Sequence, residues 1–240
     1  MKKLTLFLVS TLVLNNLFSQ NKSIYQQGIS AQENLNAIIN LAPYSEGAVG
    51  FDTRYEGVKG SVRLFDRLLP SYLKVKGQDY YVELETDIDV VNNTLLFVHP
   101  KTGKLLAIPS DIIIELVVKN EGNEMIFRTA NALAYKSDIR EQKFYQVLAD
   151  SPFLFIKVPE KKFIEASYKG AYSANRPYDE YETRYKYYLS SNDNILHKIQ
   201  LNKNSLLKLF PDKKEKIKEV LKTGSYTNDE EMVLSVLKKL

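Results

Sequence analysis

From Tyr72 onward the apolar residues of this chain recur at every second position, and that rhythm restricts the fold more than any other feature. Within 80–90, Val82, Leu84, Ile88 and Val90 fall on one face, while Tyr81, Glu83, Glu85, Asp87 and Asp89 fall on the other. Asn92-Asn93 follows as a tight turn, because Asn tolerates positive φ, and 94–99 returns as a second strand. Turns at 100–103 and 120–123 separate strands at 105–108, 112–118 and 124–129. Segments 144–149 and 153–158 make a hairpin across Asp150-Ser151-Pro152, with 162–168 as its extension. A last hairpin joins 181–190 to 195–201. Tyr178, Tyr181, Tyr185 and Tyr188 in its first arm also keep helical spacing, but the density of Tyr and Thr favours a strand. Strands this close, joined by hairpin turns, predict an antiparallel meander, forming a sheet, an open barrel or a sandwich.

Both ends change period. Ser30 with Glu33 is a capping-box pattern, and Leu35, Ile38, Ile39 and Ala42 follow at helical spacing before Pro43. Gly47, Gly50, Gly57 and Gly60 then punctuate a region with room only for short extended pieces at 50–56 and 62–65. Segment 131–142 reads as a loop with a helical turn. After the last strand three helices are expected: 204–210 closed by Pro211, one started by Asp212 with Glu215 and ended at Gly224, and one started by Thr227 with Glu230 that runs to Leu240. Strands first and helices last make the class α+β, an antiparallel meander followed by C-terminal helices.

Residues 1–19 open with Lys2-Lys3, pass through an uncharged stretch rich in Leu, Val and Phe, and close on Ser19, the pattern of a secretory signal peptide. Thr5, Ser10, Thr11, Asn15 and Asn16 leave the apolar run short of the ~20 residues a bilayer span needs. Export is therefore expected, to the periplasm in preference to the medium, with no transmembrane segment in the mature chain. The chain contains no Cys, which removes disulfides, thiolate metal sites and a catalytic thiol. Without the leader, 31 basic residues face 29 acidic ones, a net charge of +2, so no one-sided basic surplus points to nucleic acid. The Lys-rich run 213–222 is interleaved with Glu215 and Glu219 and reads as a solvated helix face. The organisation expected is a leader (1–19), an N-terminal helix and linker (20–49), an antiparallel β domain (50–201) and a C-terminal helical segment (202–240) packing on it.

Tyr55-Glu56-Gly57-Val58-Lys59-Gly60-Ser61, the run from Lys203 through Ser205-Leu206-Leu207 to Phe210-Pro211-Asp212, and Phe144-Tyr145-Gln146-Val147-Leu148 together carry a resemblance. The chain resembles a group of uncharacterised secreted proteins of Bacteroidota that share a signal peptide, a YxGVKGS segment, a β-rich middle and a KKSLLKLFPD segment before terminal helices. The resemblance implies a secreted or envelope location and carries over no activity or catalytic residue. Those relatives often place Trp after the glycine motif, where this chain has Phe65-Asp66-Arg67.

Glu83, Glu85, Asp87 and Asp89 stand about 7 Å from one to the next along one strand face. Carboxylates so placed repel one another, and a hard cation such as Ca²⁺ would relieve that, although one straight strand cannot wrap an ion alone. The solvated face of a half-buried strand is the simpler reading, and no cofactor is required. The same acids could serve as a carboxylate hydrolase pair, a geometry that sequence spacing alone does not show. His99 and His197 supply the only imidazoles, and no GxSxG or HExxH pattern accompanies them. Gly57-Val58-Lys59-Gly60-Ser61 misses the phosphate-loop spacing and reads as a turn.

Seven of the sixteen Tyr fall within 168–188. Alternation puts Tyr181, Tyr185 and Tyr187 on one face, and Arg176, Arg184 and Lys186 lie close by as a polar rim. An aromatic face with a polar edge suits glycan stacking or protein contact. The function expected is a non-catalytic envelope module binding a protein, a glycan or another envelope component. The alternatives are an assembly factor docking through its C-terminal helices and an envelope hydrolase using paired carboxylates. An open aromatic sheet face, an exposed Leu/Val stripe on 232–240, or a deep pocket with paired carboxylates would separate the three.

Overall fold

The computed structural model describes residues 31–41, 57–167 and 178–240. The leader, the Ser30 cap, Ala42-Pro43, the 50–56 piece, Tyr168, Tyr172 and Arg176 lie outside the described residues.

One large, mostly antiparallel sheet that does not close, with helices at its C-terminal end, makes the class α+β. Strand β1 (Val58–Lys59) comes first in the chain, and the second strand, β2 (Leu69–Val75), organises the sheet. On one edge of β2 runs β3 (Val82–Asp89), with Leu73 opposite Val82 and Leu69 opposite Thr86. Hairpins carry the sheet outward from β3 through β4 (Thr94–Val98) to β5 (Leu105–Pro109). The chain then crosses back, and β6 (Ile113–Asn120) pairs with the other edge of β2, Tyr72 opposite Val117. From β6 the meander continues through β7 (Asn123–Thr129), β8 (Phe144–Ala149), β9 (Phe155–Ile164) and β10 (Asp179–Ser190). The far edge of β10 is shared, with β1 parallel to its start and β11 (Leu196–Ile199) antiparallel to its end.

The expected meander is interrupted at β2, which lies between its successor β3 and the sequence-distant β6, and at β1, which joins β10 in parallel. The expected piece at 62–65 is not a strand. It contributes a bridge from Arg63 to Asp89, while the Leu64 N–H donates to the Ile88 carbonyl at 2.8 Å and the Val90 N–H to the Val62 carbonyl at 3.0 Å. Positive φ at Gly60 (71°) and Asp66 (57°) turns the chain at either end and stops the pairing from growing.

Helix α1 (Ala31–Leu41) buries Ala37, Ile38 and Leu41 among Leu73, Val82, Leu84, Ile88 and Phe97 of the sheet. Its Asn34 carboxamide accepts from the Glu83 N–H at 2.6 Å and donates to the Glu83 carbonyl at 2.7 Å. The last β4 residue to pair with β3 is Phe97, opposite Thr86, so Asn34 substitutes for a strand neighbour beyond that point.

At the other end, α2 (Lys203–Leu209), α3 (Lys214–Thr223) and α4 (Asp229–Leu237) cover β8–β11. Leu206, Phe210, Ile217, Val220, Val233 and Val236 bury themselves against Phe153, Phe155 and Leu189. Two helix starts differ from expectation. Asp212 falls in a 3₁₀ turn (Pro211–Lys213) and makes no cap, since Pro211 tightens the chain before α3 begins. The cap of α4 is Asn228, whose side chain accepts from the Glu231 N–H at 2.8 Å, one residue later than the Thr227 and Glu230 pairing. Gly224 ends α3 in extended geometry, φ −83°, so the tight left-handed ending is not used.

Candidate functional site

The four-acid face of β3 divides in two. Glu83 and Glu85 are exposed, whereas Asp87 and Asp89 are buried. Segment 62–65 lies over the end of β3, so side chains that alternation turns away from the core still lose their water. The Asp87 carboxylate accepts from Arg63 Nε at 2.8 Å and from the Phe65 N–H at 3.1 Å. Asp89 accepts from the N–H groups of Val91 and Asn92 at 2.9 and 2.8 Å and from Asn92 Nδ2 at 2.9 Å, holding the β3–β4 turn. The structure thus gives these two acids hydrogen-bond partners within the fold and leaves Glu83 and Glu85 facing outward. No cluster of three or more His, Cys, Asp or Glu able to hold a metal occurs among the described residues.

From Asp179 the Tyr-rich segment is strand. Along β9–β10, Tyr181 stands opposite Phe163, Tyr185 opposite Pro159 and Tyr187 opposite Lys157, so all six share a face. Phe163 and Tyr185 are 43% and 45% exposed, and the Phe163 and Tyr181 rings lie 5.0 Å apart. Lys157 Nζ sits 4.2 Å from the centre of the Tyr185 ring, a cation–π contact.

Tyr187 does not join this surface. Its ring packs beside Phe155 under the helices, and its hydroxyl donates to Glu230 Oε1 of α4 at 2.6 Å. Burial first, and then that carboxylate, push the Tyr187 phenol well above its ordinary range. Lys157 also meets Glu230, at 2.7 Å, so one carboxylate ties α4 to two strands. Tyr187→Phe should cost about 1 kcal/mol, the worth of one such bond, because Lys157 still satisfies Glu230. Glu230→Ala, which orphans both partners, should cost more in the same urea titration.

Arg184 alternates to the opposite face and pairs with its own-strand neighbour Glu182 at 2.7 Å, so it is no rim to the aromatic surface. On that opposite face Tyr188 is buried beneath loop 130–139 with Leu133 and Ile139.

Two hollows flank this ribbon. The first, about 420 Å³, opens where β8 and β9 separate after Gln146 and Lys157, and the β3–β4 turn and loop 138–143 close it. Its polar lining is mainly cationic: Arg140, Lys143, Lys161 and Lys186 against Asp138 and Glu160. Sequence reasoning missed this grouping, since its members belong to a loop and two strands and share no motif. The second hollow, about 640 Å³, lies between β11 and α2 and holds His197, Asp193, Ser205 and Lys208. His197 Nε2 is 2.8 Å from Asp193 Oδ2. The Asp193 carboxyl falls to about 2, chiefly through the Ser191 hydroxyl, with the Ile195 N–H and His197 adding to it. The Ser205 side chain, three residues before Lys208, makes no hydrogen bond among the described residues, so no nucleophile is coupled to that pair. His99 closes its own turn, Nδ1 accepting from the N–H groups of Lys101 and Thr102.

No helix among the described residues is long and apolar enough to cross a membrane. No family model, curated protein or solved structure matches the chain.

Proposed function

We propose that the chain is an exported, non-catalytic binding protein of the cell envelope that takes a glycan or protein partner on the aromatic face of β9–β10. The observation that carries this is the pair of exposed rings, Phe163 and Tyr185, on one strand face beside Tyr181. Large aromatics left in water on a regular sheet are a cost that a stacking partner recovers. The leader and the resemblance to secreted Bacteroidota proteins support the location, the periplasm before the medium.

The discriminating features favour binding over the two alternatives. The Leu/Val stripe that an assembly factor would expose is turned inward, with Val233, Val236 and Leu237 buried against the sheet. In the cationic hollow, Glu160 is occupied by Lys186 at 2.6 Å, so no free carboxylate pair is offered there for hydrolysis.

The test uses the mature chain against purified envelope glycans and an envelope protein extract, read by co-sedimentation and by Tyr fluorescence, which no Trp obscures. Phe163→Ala with Tyr185→Ala should weaken retention roughly tenfold or more, as exposed aromatic anchors do. Retention unchanged in that double variant, with its thermal transition intact, would remove the aromatic face from the account.

A further inference from the structure

The cationic hollow presents charge without a partner. Glu160 and Asp138 are the acids on its wall: Glu160 Oε1 accepts from Lys186 Nζ at 2.6 Å, and the Tyr188 hydroxyl proton is held on more tightly by burial and then by the nearby charge of Asp138. Arg140 and Lys143 have no carboxylate within ion-pair distance among the described residues. The nearest acceptor for the Lys143 ammonium is the Val90 carbonyl, at a long 3.4 Å. Lys161, on the far wall, lies near Asp66 and Asp87, but those carboxylates are held by the Ser61 hydroxyl and by Arg63.

The placement is costly for Lys143. Lys143 is half-buried, and burial lowers its affinity for a proton first, with the charges of Arg140 and Lys186 lowering it further and Glu160 opposing. An anion seated between Arg140 and Lys143 would relieve both effects, and Lys186 is within reach of the same charge. The rest of the wall is apolar, with Val90, Ile139 and Val158 beside the Tyr188 ring. A volume of about 420 Å³ exceeds what an inorganic ion fills and falls in the range of small-ligand sites.

We propose that the hollow between loop 138–143 and β9 binds a small organic anion, its carboxylate or phosphate held by Arg140 and Lys143 and its body lying against Val90, Val158 and Tyr188. The site is separate from the exposed aromatic rings, so the two assignments can fail independently.

Calorimetric titration of the mature chain at low ionic strength with glucuronate, glucose 6-phosphate, inorganic phosphate and glucose tests it. Both organic anions should bind and glucose should not; whichever binds tighter identifies carboxylate or phosphate as the preferred group. Arg140→Ala with Lys143→Met should weaken binding by about tenfold or more, as loss of charge-assisted bonds does. Lys218→Met, on the exposed face of α3, should leave it unchanged. Glu160→Gln frees Lys186 and should tighten binding several-fold, a gain that mere destabilisation would not produce. Absence of binding by either organic anion, or affinities that the Arg140/Lys143 and Glu160 variants leave unaltered, would overturn the site. Inorganic phosphate binding as tightly as glucose 6-phosphate would overturn recognition of an organic body.

Discussion

Asp87→Ala should destabilise the fold by about 3–5 kcal/mol, the largest loss expected from one charged side chain here, because it leaves a buried cation unpaired. The Asp87 side chain is fully buried and that of Arg63 only 17% exposed. Removing the carboxylate takes partners from Arg63 Nε and from the Phe65 N–H together. Segment 62–66 then keeps its two backbone bonds to Ile88 and Val90 and the packing of Leu64 and Phe65, but loses the charged anchor that fixes Arg63 and the Phe65 N–H.

The loss does not mean that the ion pair is a net gain. Burial pushes the Asp87 carboxyl above its ordinary 3.8, against the opposing pull of the Phe65 N–H, Arg63 and the Ile88 N–H. The native state therefore holds that proton more tightly than the unfolded chain does. The stabilisation from this group is fully present below the unfolded value and is lost as pH rises through the raised native value. At neutral pH the charged form thus costs more in lost water than its partners return. Arg63→Met with Asp87→Leu should accordingly recover most of what Asp87→Ala loses. Urea titrations at neutral pH would measure both. A double variant as unstable as the single one would show that the pair contributes more than apolar packing can replace.

Asp87 also marks where the sequence stops being informative. Alternation along β3 assigns it correctly to the face away from Val82, Leu84 and Ile88. It says nothing of a segment more than twenty residues earlier folding over that face, so an acid buried with Arg63 looks the same as Glu83 or Glu85 in water. The hairpins were legible because the strands are apolar and closely spaced and each turn between paired neighbours carries its Asn, Gly or Pro. The pairing of β2 with β6 leaves no local trace, since three strands intervene. The start of β2 at Leu69 is hidden by Pro70, which reads as a break.

The same distinction applies to the candidate sites. Tyr181 and Tyr185 could be placed on one face from spacing alone. Tyr187 shares that spacing and is covered because α4 brings Glu230 over it. The grouping of Arg140, Lys143 and Lys186 depends on β8 and β9 parting company, a tertiary event with no periodic signature.

Gly60→Ala bears on the remaining sequence motif. The Tyr55–Ser61 segment attracts attention as a possible phosphate loop, but its described part is occupied with architecture. Val58 and Lys59 pair with Asp179 and Glu180 of β10, and Lys59 Nζ sits 3.5 Å from the centre of the Tyr178 ring. At Gly60 the chain turns with φ 71°, and a Cβ there would stand 2.7 Å from the Tyr181 carbonyl oxygen. A side chain thus meets two separate penalties, about 1–2 kcal/mol for the left-handed conformation and about 1–3 for forcing two backbones apart. The sum, roughly 2–5 kcal/mol, should appear as a lower urea midpoint. Gly77→Ala isolates the first penalty, because Gly77 has φ 78° and nothing within 4 Å of an added Cβ. The excess of Gly60 over Gly77 measures how tightly β1 is held against β10, and with it how firmly the strand bearing Tyr181 and Tyr185 is backed. Equal losses at the two glycines would mean that β1 simply lifts away, and that the aromatic face keeps its shape through its pairing with β9 alone.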